Sequence, residues 1–129
     1  MFGWKKAFVV PGVWKKNAGY ADYVEWALDC PMFLFKRGGE PVANTGQTFR
    51  SFWKNGFQGH EALFGDWVMH LNTLFPEVRL KKTIEIRGAD AQTPKTACAL
   101  PALYMGIFYD EKALGQAEAL VEGWTHEEI

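Results

Sequence analysis

From residue 78 to residue 87 the sequence VRLKKTIEIR alternates polar and aliphatic side chains almost without interruption. Helical periodicity of 3.6 would scatter these residues around a cylinder, whereas an extended chain sends successive side chains to opposite faces. One face of such a strand carries Arg79, Lys81, Thr83, Glu85 and Arg87, and the other carries Val78, Leu80, Lys82, Ile84 and Ile86. A chain built around this segment needs a sheet, with the aliphatic face expected in the core and helices behind it.

The flanking sequence supplies those helices. Tyr23, Val24, Ala27 and Leu28 recur at helical spacing, and Cys30-Pro31 ends that helix because the residue before proline avoids the α region. PMFLFK then reads as a strand, Arg37-Gly38-Gly39-Glu40 as a tight hairpin turn, and residues 41–44 as the return strand. A short amphipathic helix is expected after Thr48 or its neighbour Gln47, through Phe49, Phe52 and Trp53 to a stop at Gly56. Another runs from an N-cap at Asp66 through Trp67 and Leu71 to Pro76. After the polar stretch AQTPKTA, Leu100, Leu103, Tyr104, Ile107 and Phe108 mark a helix, and residues 111–121 a last one. Thr125 and Glu128 have the spacing of a capping box, which announces a further helix. The expected fold class is therefore α+β, a single domain with an antiparallel β-sheet backed by helices.

Charge excludes one class of partner. The 14 basic residues nearly cancel the 15 acidic ones over 129 positions, so no overall field favours nucleic acid, and basic chemistry must be local. No stretch approaches the roughly 20 apolar residues of a membrane span. Pro11 interrupts the apolar run AFVVPGVW, so a secretory signal is not expected. Cys30 and Cys98 lack metal-ligand spacing and are too few for a disulfide framework, which predicts reduced thiols and a cytoplasmic protein. His60, His70 and His126 are too dispersed for a metal motif, and His70 is expected to be a packed residue.

Chemistry concentrates on the polar face of the strand. Arg79, Lys81 and Arg87 surround the single carboxylate of Glu85. Arginine and lysine neutralise phosphate oxygens, and a carboxylate is a hard ligand for magnesium, so the set suits a polyphosphate carrying Mg2+. The same pattern also suits a half-exposed strand whose charges pair with neighbouring strands. Periodicity leaves both open.

The segments YVEWALDCPMFLF, TGQTFRSFW, GDWVMHLNTLFPEVRLKKTIEIRGAD and CALPALYMGIFYDE resemble, in order, the later part of the catalytic domain of plant-type and proteobacterial glutamate-cysteine ligase, over roughly residues 20–125. Glu85, Arg87 and Asp90 are also similar to the Glu-x-Arg-x-x-Asp strand of the glutamine synthetase superfamily. The resemblance implies ATP and Mg2+ as cofactors, glutamate and cysteine as small-molecule substrates, and an acyl phosphate intermediate. It implies Glu85 as the metal ligand and Arg87 as the catalytic cation on the transferring phosphoryl group. Arg79 and Lys81 share the strand's polar face, which suits them equally to contact phosphate or to be neutralised by ladder neighbours. The resemblance places Thr45 and Arg50 near the substrate, although an arginine on a short helix is also a common surface salt-bridge partner. Cys98 matches a cysteine that plant relatives use in a regulatory disulfide, while Asn44 and Phe33 stand where those relatives have cysteine and tyrosine. The family enzyme is longer than this chain. Two other readings accompany this one: a non-catalytic nucleotide-binding or scaffold domain that self-associates as a homo-oligomer, and a γ-glutamyl ligase with another amine acceptor.

Overall fold

The computed structural model describes residue 10 and residues 15–125. The element order is α1 (Tyr20–Asp29), β1 (Leu34–Arg37), β2 (Glu40–Ala43), α2 (Phe49–Asn55), α3 (Phe64–Thr73), β3 (Val78–Leu80), β4 (Ile84–Ile86), α4 (Ala99–Phe108) and α5 (Glu111–Val121). The class is α+β, as expected, but the strands form two separate two-stranded sheets, β1-β2 and β3-β4. The chain divides into two compact units, residues 1–85 and 86–129. Among the described residues no helix is long and apolar enough to cross a membrane.

The first unit is organised around the β1-β2 hairpin. Gly38 and Gly39 have φ of +58° and +90°, the pair of positive angles that lets a two-residue turn follow the strands' twist. Arg37 therefore faces Glu40, and Phe35 faces Val42. Phe35 is fully buried and stacks on Phe52 of α2 with ring centroids 4.8 Å apart. Leu28, Met32 and Phe49 complete this core, and Val42, Phe57, Ala62 and Trp67 pack against it. Burying each large side chain stabilises the fold by about 2–3 kcal/mol.

Caps set the helix bounds. In α1, the Asp22 carboxylate accepts the Gly19 N–H at 3.0 Å, and Cys30, before Pro31, leaves the helix with ψ of 139°. In α2, the Thr48 hydroxyl accepts the Ser51 N–H at 3.1 Å. Gly56 ends that helix at φ +65°, where a Cβ would lie 2.6 Å from the His60 carbonyl oxygen. The expected N-cap of α3 shifts: Leu63 occupies the cap, and Asp66, in the first turn, accepts the Leu63 N–H at 2.8 Å. Asp66 satisfies an N-terminal amide either way, but from inside the helix it also reaches Arg37. Arg37 donates to Asp66 Oδ1 at 2.7 Å and Oδ2 at 2.8 Å, and to the Glu61 carbonyl at 2.5 Å. This clamp ties the end of β1 to the start of α3.

His70 is packed, as expected, with 1% exposure. Its Nε2 lies 2.8 Å from the Ala27 carbonyl and its ring stacks on Phe49, joining α3 to α1 and α2. Burial pushes its pKa below the ordinary value, opposed by the Ala27 bond.

In the second unit, α4 and α5 form a helical hairpin in which Asp110 Oδ1 accepts the Ala113 N–H at 2.7 Å. Pro101 falls in the first turn of α4, where its missing N–H costs nothing. Tyr104 stacks on Phe108 at 5.8 Å, and no residue of either helix is buried. Of the Thr125 capping box, only Thr125 lies within the described residues.

Candidate functional site

The alternating segment is folded back on itself. Residues 81–83 make a turn closed by the Lys81 N–H donating to the Thr83 carbonyl at 2.9 Å, and β3 and β4 run antiparallel on either side. Its two faces also depart from expectation. Val78 and Ile84, expected in the core, are 46% and 66% exposed, whereas Arg79 is 8% exposed. A two-stranded hairpin cannot cover both of its faces; Tyr23 of α1 lies near Arg79 and the Leu80 backbone, and burial raises its pKa.

Arg79 and Glu85 meet across this hairpin. Arg79 Nε and Nη2 each lie 2.7 Å from Glu85 Oε2, and Nη1 donates to the Leu74 carbonyl at 3.4 Å. The guanidinium sits 5.7 Å from the centre of the Phe75 ring. Arg79, expected on polyphosphate, is thus turned inward toward Glu85. Lys81 is exposed in the turn, and Arg87 is exposed beyond β4, in the second unit.

The expected substrate residues lie elsewhere in the first unit. Arg50 spans α2 and α1, with Nε 2.6 Å from Asp29 Oδ1 and Nη2 2.7 Å from Glu25 Oε2. That is the salt-bridge arrangement open to it from the sequence. Thr45 is exposed beside Asn44, which is 1% exposed and donates from Nδ2 to Gln47 Oε1 at 2.8 Å. Gln47 passes the link to the Gly56 carbonyl at 3.1 Å.

Sequence reasoning did not identify Tyr23 or Phe75 as supports of the hairpin. Tyr23 was legible only as an apolar position of α1, and Phe75 lies outside the alternating run. Both thiols are free: Cys98 is exposed, while burial, and secondarily Asp29, push Cys30 up to about 11.

Glu85 can contribute one hard oxygen ligand, since its side chain keeps 37% exposure. Among the described residues no three His, Cys, Asp or Glu side chains cluster as a metal site. The fit to magnesium is therefore that of a single ligand, consistent with a cation that uses one or two carboxylates and completes its shell with phosphate oxygens and water.

A family model described as Glutamate-cysteine ligase family 2 (GCS2) matches residues 3–129. The chain belongs to that family. It is 42% identical over 120 residues to the chloroplastic glutamate--cysteine ligase of Brassica juncea, covering 91% of this chain and 23% of the relative. Against the chloroplastic enzyme of Solanum lycopersicum the identity is 42% over 127 residues, 95% of this chain and 24% of the relative. For Arabidopsis thaliana it is 39% over 120 residues, 91% and 23%. The chain spans about a quarter of the length of these GCS2 relatives. The family match also reaches further toward the N-terminus than the segments quoted above.

One expectation is overturned by the relatives' names. They are chloroplastic, which points to a plastid rather than the cytoplasm. Reduced thiols indicate a reducing compartment, and the cysteine pattern does not say which one.

Proposed function

We propose that this chain is part of an ATP-dependent ligase that joins the γ-carboxylate of glutamate to the amine of cysteine, the first step of glutathione biosynthesis. The observation that carries the reading is the family match over nearly the whole chain, together with its likeness to glutamate--cysteine ligases about 40% identical to it. In this reaction the glutamate γ-carboxylate attacks the γ-phosphoryl group of ATP, releasing ADP and forming an acyl phosphate. The cysteine amine then attacks the acyl carbon and inorganic phosphate leaves.

Such chemistry rests on positioning and charge neutralisation rather than on a protein nucleophile. Glu85 is the proposed metal ligand, and bound magnesium would neutralise polyphosphate charge. Lys81 and Arg87 are exposed cations suited to phosphate oxygens, with Arg87 assigned to the transferring group. Thr45 is assigned to the substrate side. Arg50 is assigned there through its hold on α1 rather than through a direct contact, because Asp29 and Glu25 already engage its guanidinium.

The test is Glu85→Ala in the full-length protein, with ADP release followed in the presence of ATP, Mg2+, glutamate and cysteine. A fall of about 100-fold or more in turnover with unchanged circular dichroism is expected. Near-normal turnover removes Glu85 from the mechanism, and equal ADP release with other amines removes cysteine as the specific acceptor.

A further inference from the structure

Two residues that the sequence offers as direct ligand contacts are treated differently by the hairpin. The Arg79 side chain is 10% exposed and that of Glu85 is 37% exposed. Arg79 directs Nε and Nη2 to Glu85 Oε2, directs Nη1 to the Leu74 carbonyl, and lies against the Phe75 ring. An enclosed guanidinium with its donors aimed into the protein is badly placed for phosphate. The carboxylate it holds keeps its access to solvent.

We propose that Arg79 is a positioning residue that acts through Glu85. It tethers Oε2 and fixes the carboxylate's rotamer, so that Glu85, not Arg79, meets the divalent cation of a nucleotide complex. The proposal rests on the reading of Glu85 as a metal ligand given above. Glutamate is among the side chains with the most rotamer freedom, so holding it in advance removes an ordering cost from cation binding. The arginine charge acts in the opposite sense by repelling the cation. That repulsion is screened because the Glu85 side of the pair is open to water, whereas the tether is short and doubly donated. Ordering therefore outweighs repulsion, and groups that orient a metal-binding carboxylate typically change metal affinity by about 10- to 100-fold.

The experiment titrates Mn2+ into the full-length protein, read by electron paramagnetic resonance, for the wild type, Arg79→Ala, Arg79→Lys, Glu85→Gln and the Arg79→Ala/Glu85→Gln double variant. Arg79→Ala should raise the Mn2+ concentration at half-saturation about tenfold, and Arg79→Lys should recover part of the loss. In the Glu85→Gln background, Arg79→Ala should add nothing, because a residue acting only through Glu85 has nothing left to act on. Tighter or unchanged Mn2+ binding in Arg79→Ala overturns the proposal, as does a further loss in the double variant, which would mean direct contact with the ligand. Loss of folded structure in both Arg79 variants also overturns it by making the role purely structural. If Glu85→Gln itself binds Mn2+ normally, the underlying metal-ligand reading fails instead.

Discussion

Arg37→Ala should destabilise the protein more than Asp66→Asn, although both remove the same ion pair. The Asp66 side chain is 6% exposed and that of Arg37 is 20% exposed. Without Arg37, the Asp66 carboxylate keeps only the Leu63 N–H among the donors described here. Breaking a buried pair by removing one partner costs about 3–5 kcal/mol, and the partial exposure of Arg37 lowers the expected loss to about 2–3 kcal/mol. Asp66→Asn leaves a guanidinium that can reach water, so its cost should be nearer 1 kcal/mol. The pH dependence separates the two further. Burial raises the Asp66 pKa, but the Arg37 and Leu63 hydrogen bonds outweigh it and the net shift is downward from 3.8. The pair's contribution is therefore present above the unfolded value and is lost as pH falls through the lowered folded value. Without Arg37, burial dominates, the sign reverses, and acidification should favour the folded variant. Urea unfolding followed by tryptophan fluorescence, at neutral pH and at about pH 3.5, measures both effects. An Arg37→Ala loss below about 1 kcal/mol, a loss that does not shrink on acidification, or a larger loss for Asp66→Asn would refute the reasoning.

Other consequences are open to equally direct measurement. Gly56→Ala should cost about 2 kcal/mol or more, because φ is +65° and the added Cβ would meet the His60 carbonyl oxygen at 2.6 Å; thermal unfolding should show a drop of several degrees. His70 should titrate below its ordinary 6.5 in an NMR pH series, and its contribution to stability, present above 6.5, should be lost as pH falls through the lowered folded value. Cys98 should react rapidly with a thiol reagent. Cys30, 4% exposed and pushed up to about 11, should react only on unfolding, so Cys98→Ser should abolish the fast phase.

The hairpin of β1 and β2, the cap and stop of α2, and both bounds of α5 follow from local signals. Paired glycines, a threonine three residues before a serine amide, and helical spacing act within a few residues, so their outcome does not wait on the rest of the fold. Asp66 shows the limit of such reasoning. Its capping function was legible, but its position within the first turn depends on Arg37, 29 residues away. The partners in the ion pairs of Arg50 with α1 and of Arg37 with α3 have no local signature for the same reason.

The alternating segment divides most sharply between the two levels. Sequence alone determined that Arg79 and Glu85 share a face, since parity is the same for a continuous strand and for one folded about Lys82. It could not determine their distance. In a continuous strand, six residues separate the two by roughly 20 Å, whereas in the hairpin their side chains are 2.7 Å apart. Nor could alternation say which face is covered, because burial depends on what packs there. Tyr23 and the Leu74 carbonyl meet the arginine face, and Val78 and Ile84 are left exposed. Side-chain direction is a property of the local backbone, and so belongs to the sequence. Contact and burial require parts of the chain distant in sequence to arrive at the same place, and that was decided only by the tertiary structure.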